Sequence, residues 1–151
     1  MRQQGRLIVV RGIGNMKFRP TSLEDENSKL TEELYVARET IFYLVSTQAQ
    51  KALEGCFVCK SYADTVRWRR ESIERLLLVA EPKSAGEMDE YASITDRAFC
   101  PLCGGSADIP YGGKGYAFPD GLRRHLAGSH NSRQCAVFEA IHSLCRSHIR
   151  K

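Results

Sequence analysis

Cys100-Pro101-Leu102-Cys103-Gly104-Gly105, followed by Leu122-Arg123-Arg124-His125 and by His130, is the stretch on which the reading of this chain turns. Two cysteines with two residues between them, then two histidines with four between them, have the spacing of ligands gathered round a tetrahedral ion. A tight turn presents both thiolates on one side, and a turn of helix brings the imidazoles to one face. The expected ligands are Cys100, Cys103, His125 and His130, holding a structural zinc. Cys135, at the head of the last expected helix, is an alternative fourth ligand.

Working outward, Val137, Phe138, Ile141, Leu144, Cys145 and His148 recur at helical spacing and predict a closing helix. Residues 98–151 therefore read as a ββα zinc module with a C-terminal helix, and the polar, aperiodic residues 81–97 as a linker. Upstream, Ser22 and Asp25 form a capping pattern, and Glu24, Asp25 and Glu26 suit the positive end of a helix dipole. From there a heptad runs with Leu23, Leu30, Ala37 and Leu44 at d and Asn27, Leu34, Ile41 and Gln48 at a. It predicts one helix to Glu54, roughly 48 Å long. Leu at d with a polar Asn at an outer a position favours a parallel homodimer through residues 23–54. Gly55 ends that helix. A second opens near Asp64, capped by Ser61, and runs through Val66, Ile73, Leu77 and Ala80 to Pro82. Its Glu71–Arg75 and Arg70–Glu74 spacings predict ion pairs on its exposed side. Residues 23–80 thus read as a helical hairpin, coiled-coil in character, with Cys56 and Cys59 at its tip. The fold class expected is mostly α.

The composition is that of a water-soluble chain, 42% hydrophobic and 26% charged. The longest apolar run, Ile41 to Val45, is too short to span a bilayer, and Arg11 interrupts the apolar start Leu7–Val10 too early for a signal peptide. A cytoplasmic protein away from membranes is expected. Six cysteines, four of them in Cys-x-x-Cys pairs, then point to metal binding rather than disulfides. The net charge of +4 is zoned. Residues 1–22 carry five basic and no acidic groups and form a basic arm, of which the part before Met16 is dispensable if that Met is the start. Residues 23–54 carry seven acidic groups against three basic ones, and residues 100–151 seven basic against three acidic. Both ends suit a phosphate backbone while the first long helix repels one.

Tyr116, Leu122, His125 and His130, with the two cysteines before them, resemble the pattern of a Cys-Cys-His-His zinc finger. The passage Pro119-Asp120-Gly121-Leu122-Arg123-Arg124-His125-Leu126 is also similar to small zinc-finger proteins of tailed phages and prophages, a likeness that brings no activity with it. The chain departs from the finger pattern in placing 21 residues between Cys103 and His125, where about 12 are usual. The excess, around Tyr111-Gly112-Gly113-Lys114-Gly115-Tyr116, reads as an enlarged hairpin. The positions from which such fingers read bases fall on Phe118, Gly121 and Arg124, and only Arg124 can hydrogen-bond a base edge.

Cys56 and Cys59 keep several readings. They join Cys100 and Cys103 in a four-cysteine site, hold a second metal, or are buried thiols. Their place at a hairpin tip resembles the zinc hook of rod-shaped DNA-repair ATPases, without that motif's proline and with shorter, unequal arms. HNH-type nucleases place catalytic histidines between paired Cys-x-x-Cys motifs, and none lies between Cys59 and Cys100. Gly12-Ile13-Gly14 and the glycines at 112, 113 and 115 do not make a phosphate loop. No enzymatic activity is expected. The function expected is that of a zinc-stabilised coiled-coil adaptor or regulator acting on a protein partner. The alternative is nucleic-acid binding with little sequence preference through Arg123, Arg124, Arg133 and the basic arm.

Overall fold

The computed structural model describes residues 22–84, 96–107 and 115–149. The basic arm before Ser22, most of the expected linker and the tip of the enlarged hairpin, Tyr111 and Lys114 included, lie outside the described residues. The fold is mostly α. Among the described residues five helices, α1 (Leu23–Leu44), α2 (Thr47–Ala52), α3 (Tyr62–Val79), α4 (Asp120–Ala127) and α5 (Ala136–Ser147), accompany two short strands, β1 (Arg97–Ala98) and β2 (Tyr116–Ala117). Among the described residues no helix is long and apolar enough to cross a membrane.

The expected caps form. The Asp25 amide donates to Ser22 Oγ and the Ser22 amide to Asp25 Oδ2, both at 3.2 Å. At the head of α3, Ser61 and Asp64 do the same at 3.1 and 3.0 Å. The Ser61 hydroxyl and the Lys60 amide hold the Asp64 carboxyl below its ordinary value. Each reciprocal pair satisfies helix-end amides that have no partner inside the helix.

The single helix expected for residues 23–54 breaks in the middle. α1 stops after Leu44, Val45 is extended, and Ser46 caps a new helix by accepting from the Ala49 amide at 3.2 Å. Gln50 Nε2 then donates to the carbonyls of Tyr43 and Val45, at 3.3 and 2.9 Å, so the end of α1 is satisfied across the break. The residues before it, Ile41-Phe42-Tyr43, are β-branched or aromatic and hold a helix weakly. Ser46 offers the competing cap. The heptad therefore ends at Leu44, short of Gln48.

α1 also does not fold back on α3 as a hairpin partner. Its main partner is α5, while α2 and α4 lie against α3. α3 closes the end of α2. Arg75 Nε donates to the Ala52 carbonyl at 2.7 Å, and Trp68 Nε1 to the Glu54 carbonyl at 3.2 Å. The buried stripe of α3 runs through Thr65, Trp68, Ser72, Ile73, Leu76 and Leu77, which turns Val66 outward. Glu71 pairs with Arg75 as its spacing predicts, at 3.8 Å. Glu74 turns away from its helical neighbour to Arg123 on α4, at 3.0 and 3.2 Å.

One apolar core takes residues from both sides of the expected linker. Leu53, Leu76, Leu122, Leu126, Phe138, Ile141 and Leu144 are fully buried. Trp68 of α3 stacks on Phe138 of α5, with centroids 5.9 Å apart and planes 7° apart. β1 and β2 pair antiparallel with Ala98 opposite Tyr116, and Lys83 bridges the other side of Arg97. With α4 these strands make the expected ββα unit.

Candidate metal centre

Cys100 follows β1, and the chain then turns back on itself. The Gly104 amide donates to the Cys100 carbonyl at 2.9 Å, and the Cys100 amide to the Gly105 carbonyl at 3.1 Å. The Gly105 amide points at Cys103 Sγ, 3.3 Å away, where it favours the thiolate. Gly115 sets the strand against this turn. Its φ is +96°, and a Cβ there would lie 2.7 Å from the backbone of Ala98, so a side chain would force the strands apart.

α4 supplies the imidazole. Leu122 and Leu126 are buried, which leaves His125 facing Cys103 with Nε2 3.4 Å from Sγ. The Tyr116 ring stacks on it at 4.3 Å and 17°, fixing the plane of the imidazole.

The fourth position corrects the expectation. α4 ends at Ala127 and Gly128 takes φ +78°, so the helix does not continue to position 130. Ser129 and Ser132 close a tight turn through both backbones and hydroxyls, and His130 sits on it, exposed. The turn sends the chain back. The Cys135 amide donates to the His125 carbonyl at 2.8 Å, and Cys135 Sγ lies 3.9 Å from Cys100 Sγ. Among the described residues, the ligand atoms of Cys100, Cys103, His125 and Cys135 all lie within 4.8 Å of one another.

These distances fit a tetrahedral ion. Metal–sulfur bonds of about 2.3 Å and metal–nitrogen bonds of about 2.0–2.1 Å imply S–S edges of about 3.8 Å and S–N edges of about 3.6 Å. Four protein ligands would close the coordination sphere of such an ion, as in structural sites, with no open position for substrate. The thiols are poised unevenly. Cys135 is drawn well below the ordinary thiol range by the hydrogen bond from Cys100, against the effect of its burial and with help from His125 and the Phe138 amide. Cys100 is raised because it donates that hydrogen bond and is buried, and Cys103 is raised by desolvation. A bound cation would replace the protons on the raised pair.

The basic residues divide. Arg123 is engaged by Glu74 and, at 2.6 Å, by Asp120. Arg124 and Arg133 are exposed and line an open cleft of about 680 Å³ with Ser106, Asn131 and Ser132.

Cys56 and Cys59 take no part in the centre, so the four-cysteine site is not assembled. They meet Cys145 of α5, whose Sγ is 2.7 Å from that of Cys59, and all three thiols are buried. Burial, with the neighbouring Cys59, pushes Cys56 up to about 12, and burial also raises Cys145. The apolar periodicity of α5 marks Cys145 as a core position. Its meeting with a residue 86 positions earlier has no local signal.

Compared with protein-family models, with curated proteins and with solved structures, the chain matches none.

Proposed function

We propose that this chain is a non-enzymatic, zinc-stabilised scaffold that pairs with a second copy through α1 and presents the paired modules to a protein partner, as an adaptor or regulator does. The observation that carries the reading is the division of α1. On one face Phe42 is buried and Tyr35 packs on the core. On the other the heptad leucines face solvent from end to end, Leu23 78%, Leu30 61%, Leu34 49% and Leu44 78% exposed. Leucines at a and d spacing on a protruding, capped helix suit a short parallel coil, with Asn27 between them to set register. The closed ligand set at Cys100, Cys103, His125 and Cys135 supports a structural role for the metal.

Native mass spectrometry of the full chain tests the pairing. The wild type should be a dimer. The double variant Leu30→Lys, Leu34→Lys should be a monomer with the same metal content. A wild type that stays monomeric at about 100 μM, ten times a modest 10 μM dissociation constant, rules the coil out.

Nucleic-acid binding is the second reading, and one observation favours it: Arg124 and Arg133 share a cleft. It gives Arg123 little part, since that side chain is engaged by two carboxylates. Duplex binding that persists at about 100 mM salt and is lost in Arg124→Ala, Arg133→Ala would move this reading to first place.

A further inference from the structure

The last helix begins at one cysteine cluster and ends at another. Cys135 stands at its head, and Cys145 and His148 at its tail. Ten residues of helix put about 15 Å between the two cysteines. At the tail Cys145 and His148 are three residues apart and share a face. They meet a turn that carries Cys56 and Cys59, also three positions apart. Together these make a Cys-x-x-Cys turn and a Cys-x-x-His helix end, the same three-sulfur, one-imidazole donor set as the first centre.

We propose that Cys56, Cys59, Cys145 and His148 form a second, intrachain zinc site. Several observations bring these side chains to the same end of α5. Cys59 and Cys145 abut, as described above. Cys56 opens the same turn and is fully buried, with its amide directed at the Leu53 carbonyl at 3.4 Å. His148 lies over this turn, its ring 5.8 Å from that of Phe57, the residue between Cys56 and Val58. The Tyr35 hydroxyl is 3.5 Å from His148 Nε2. With Nε2 engaged by Tyr35, Nδ1 is the nitrogen left for the metal, and the tyrosine would orient the ring as outer-shell partners of ligating histidines do.

Ordinary apolar packing explains one buried thiol, but three buried thiols at the helix end that carries His148 offer a soft donor set suited to zinc. Among the described residues the first centre alone brings three or more ligand atoms within 4.8 Å of one another, so the second is not preformed. Filling the second therefore opens the Cys59–Cys145 pair from 2.7 Å toward the edge of about 3.8 Å, brings Cys56 in and turns His148 toward them. Three protons leave the thiols for solvent as the ion binds.

The test is a zinc titration of the full reduced chain, read by native mass spectrometry and repeated with cobalt(II) for its thiolate charge-transfer absorption. Two ions per chain are expected for the wild type. One is expected for Cys145→Ser, and a weakened second equivalent with altered cobalt absorption for His148→Ala. The wild-type stoichiometry needs no variant to fold. One zinc per chain overturns the proposal. So does a value of three zincs per dimer, which would mean a site shared between two chains. A wild type that is 2 Da light before reduction and takes one zinc afterwards also overturns it, since Cys59 and Cys145 would then be a disulfide pair. The monomeric Leu30→Lys, Leu34→Lys chain should also bind two ions, which separates this site from the pairing of α1.

Discussion

The chain makes two Cys-x-x-Cys turns, and they sit in opposite surroundings. The turn at Cys100 is rich in glycine, has its second cysteine exposed, and is ringed by backbone amides and an imidazole. The turn at Cys56 is enclosed, with Phe57 against Phe42 at 5.1 Å and Trp68 donating to the carbonyl just before it. The first turn buries Cys100 but leaves Cys103 exposed, so the shape of its outer part depends on a shared ligand. The second is held by the core whether or not an ion is bound. One motif, written twice, can thus be a keystone in one place and a reinforcement in another, and what decides is the residue company rather than the spacing.

The largest effect should follow from removing a ligand at the first turn. Cys135→Ser should abolish tight zinc binding there and melt the β1–β2 pair and α4, since binding energy at such sites is folding energy, about 10–16 kcal/mol in small zinc-finger peptides. His130→Ala, exposed and outside the ligand group, should change stability by less than about 0.5 kcal/mol. Thermal melts with and without a chelator compare the two. Equal loss in both variants would break the contrast drawn here.

Next in size is Trp68→Ala, which removes the stack on Phe138 and the bond to the Glu54 carbonyl. A loss of about 3–5 kcal/mol in urea unfolding is expected. It should persist under chelation, because the second turn rests on packing.

His142 gives a smaller, pH-dependent effect beside the same stack. Desolvation, with help from Arg146 and Arg69, lowers it to about 4. The unfolded histidine binds its proton near 6.5, so the folded state is favoured above that value. That contribution drains away as pH falls from 6.5 toward 4. His142→Phe should flatten this part of the stability profile relative to wild type, with chelator present in both to remove the metal's own pH dependence. An unchanged slope would show that other groups set it.

The smallest effect is expected at the tie between α3 and α4. Arg123→Ala breaks partly exposed pairs with Glu74 and Asp120, so the loss should stay below about 1 kcal/mol and shrink in high salt.

What was legible in the sequence was local. Ser22 with Asp25 and Ser61 with Asp64 announced their helices because each cap needs only residues three apart. Cys100, Cys103 and His125 were readable for the same reason, being set by one turn and one short helix. The break at Ser46 was hidden because Leu44 and Gln48 continue a heptad that only the Ser46 cap interrupts. The choice of Cys135 over His130 depended on Gly128 and the Ser129–Ser132 turn, whose reversal returns the chain to the His125 carbonyl. The pairing of α1 with α5, and of Cys59 with Cys145, joins opposite ends of the chain through the core and leaves no mark at either end.

The central claim is that three sulfurs and one nitrogen, Cys135 among them, hold the metal that shapes the C-terminal module. X-ray absorption at the zinc edge on the Cys145→Ser chain, which keeps this centre alone, loaded with one equivalent tests it most directly. The expected result is three sulfur neighbours at about 2.3 Å and one nitrogen at about 2.0–2.1 Å, with a sulfur lost when Cys135→Ser is added. Two sulfurs and two nitrogens, unchanged in Cys135→Ser and altered in His130→Ala, would contradict it.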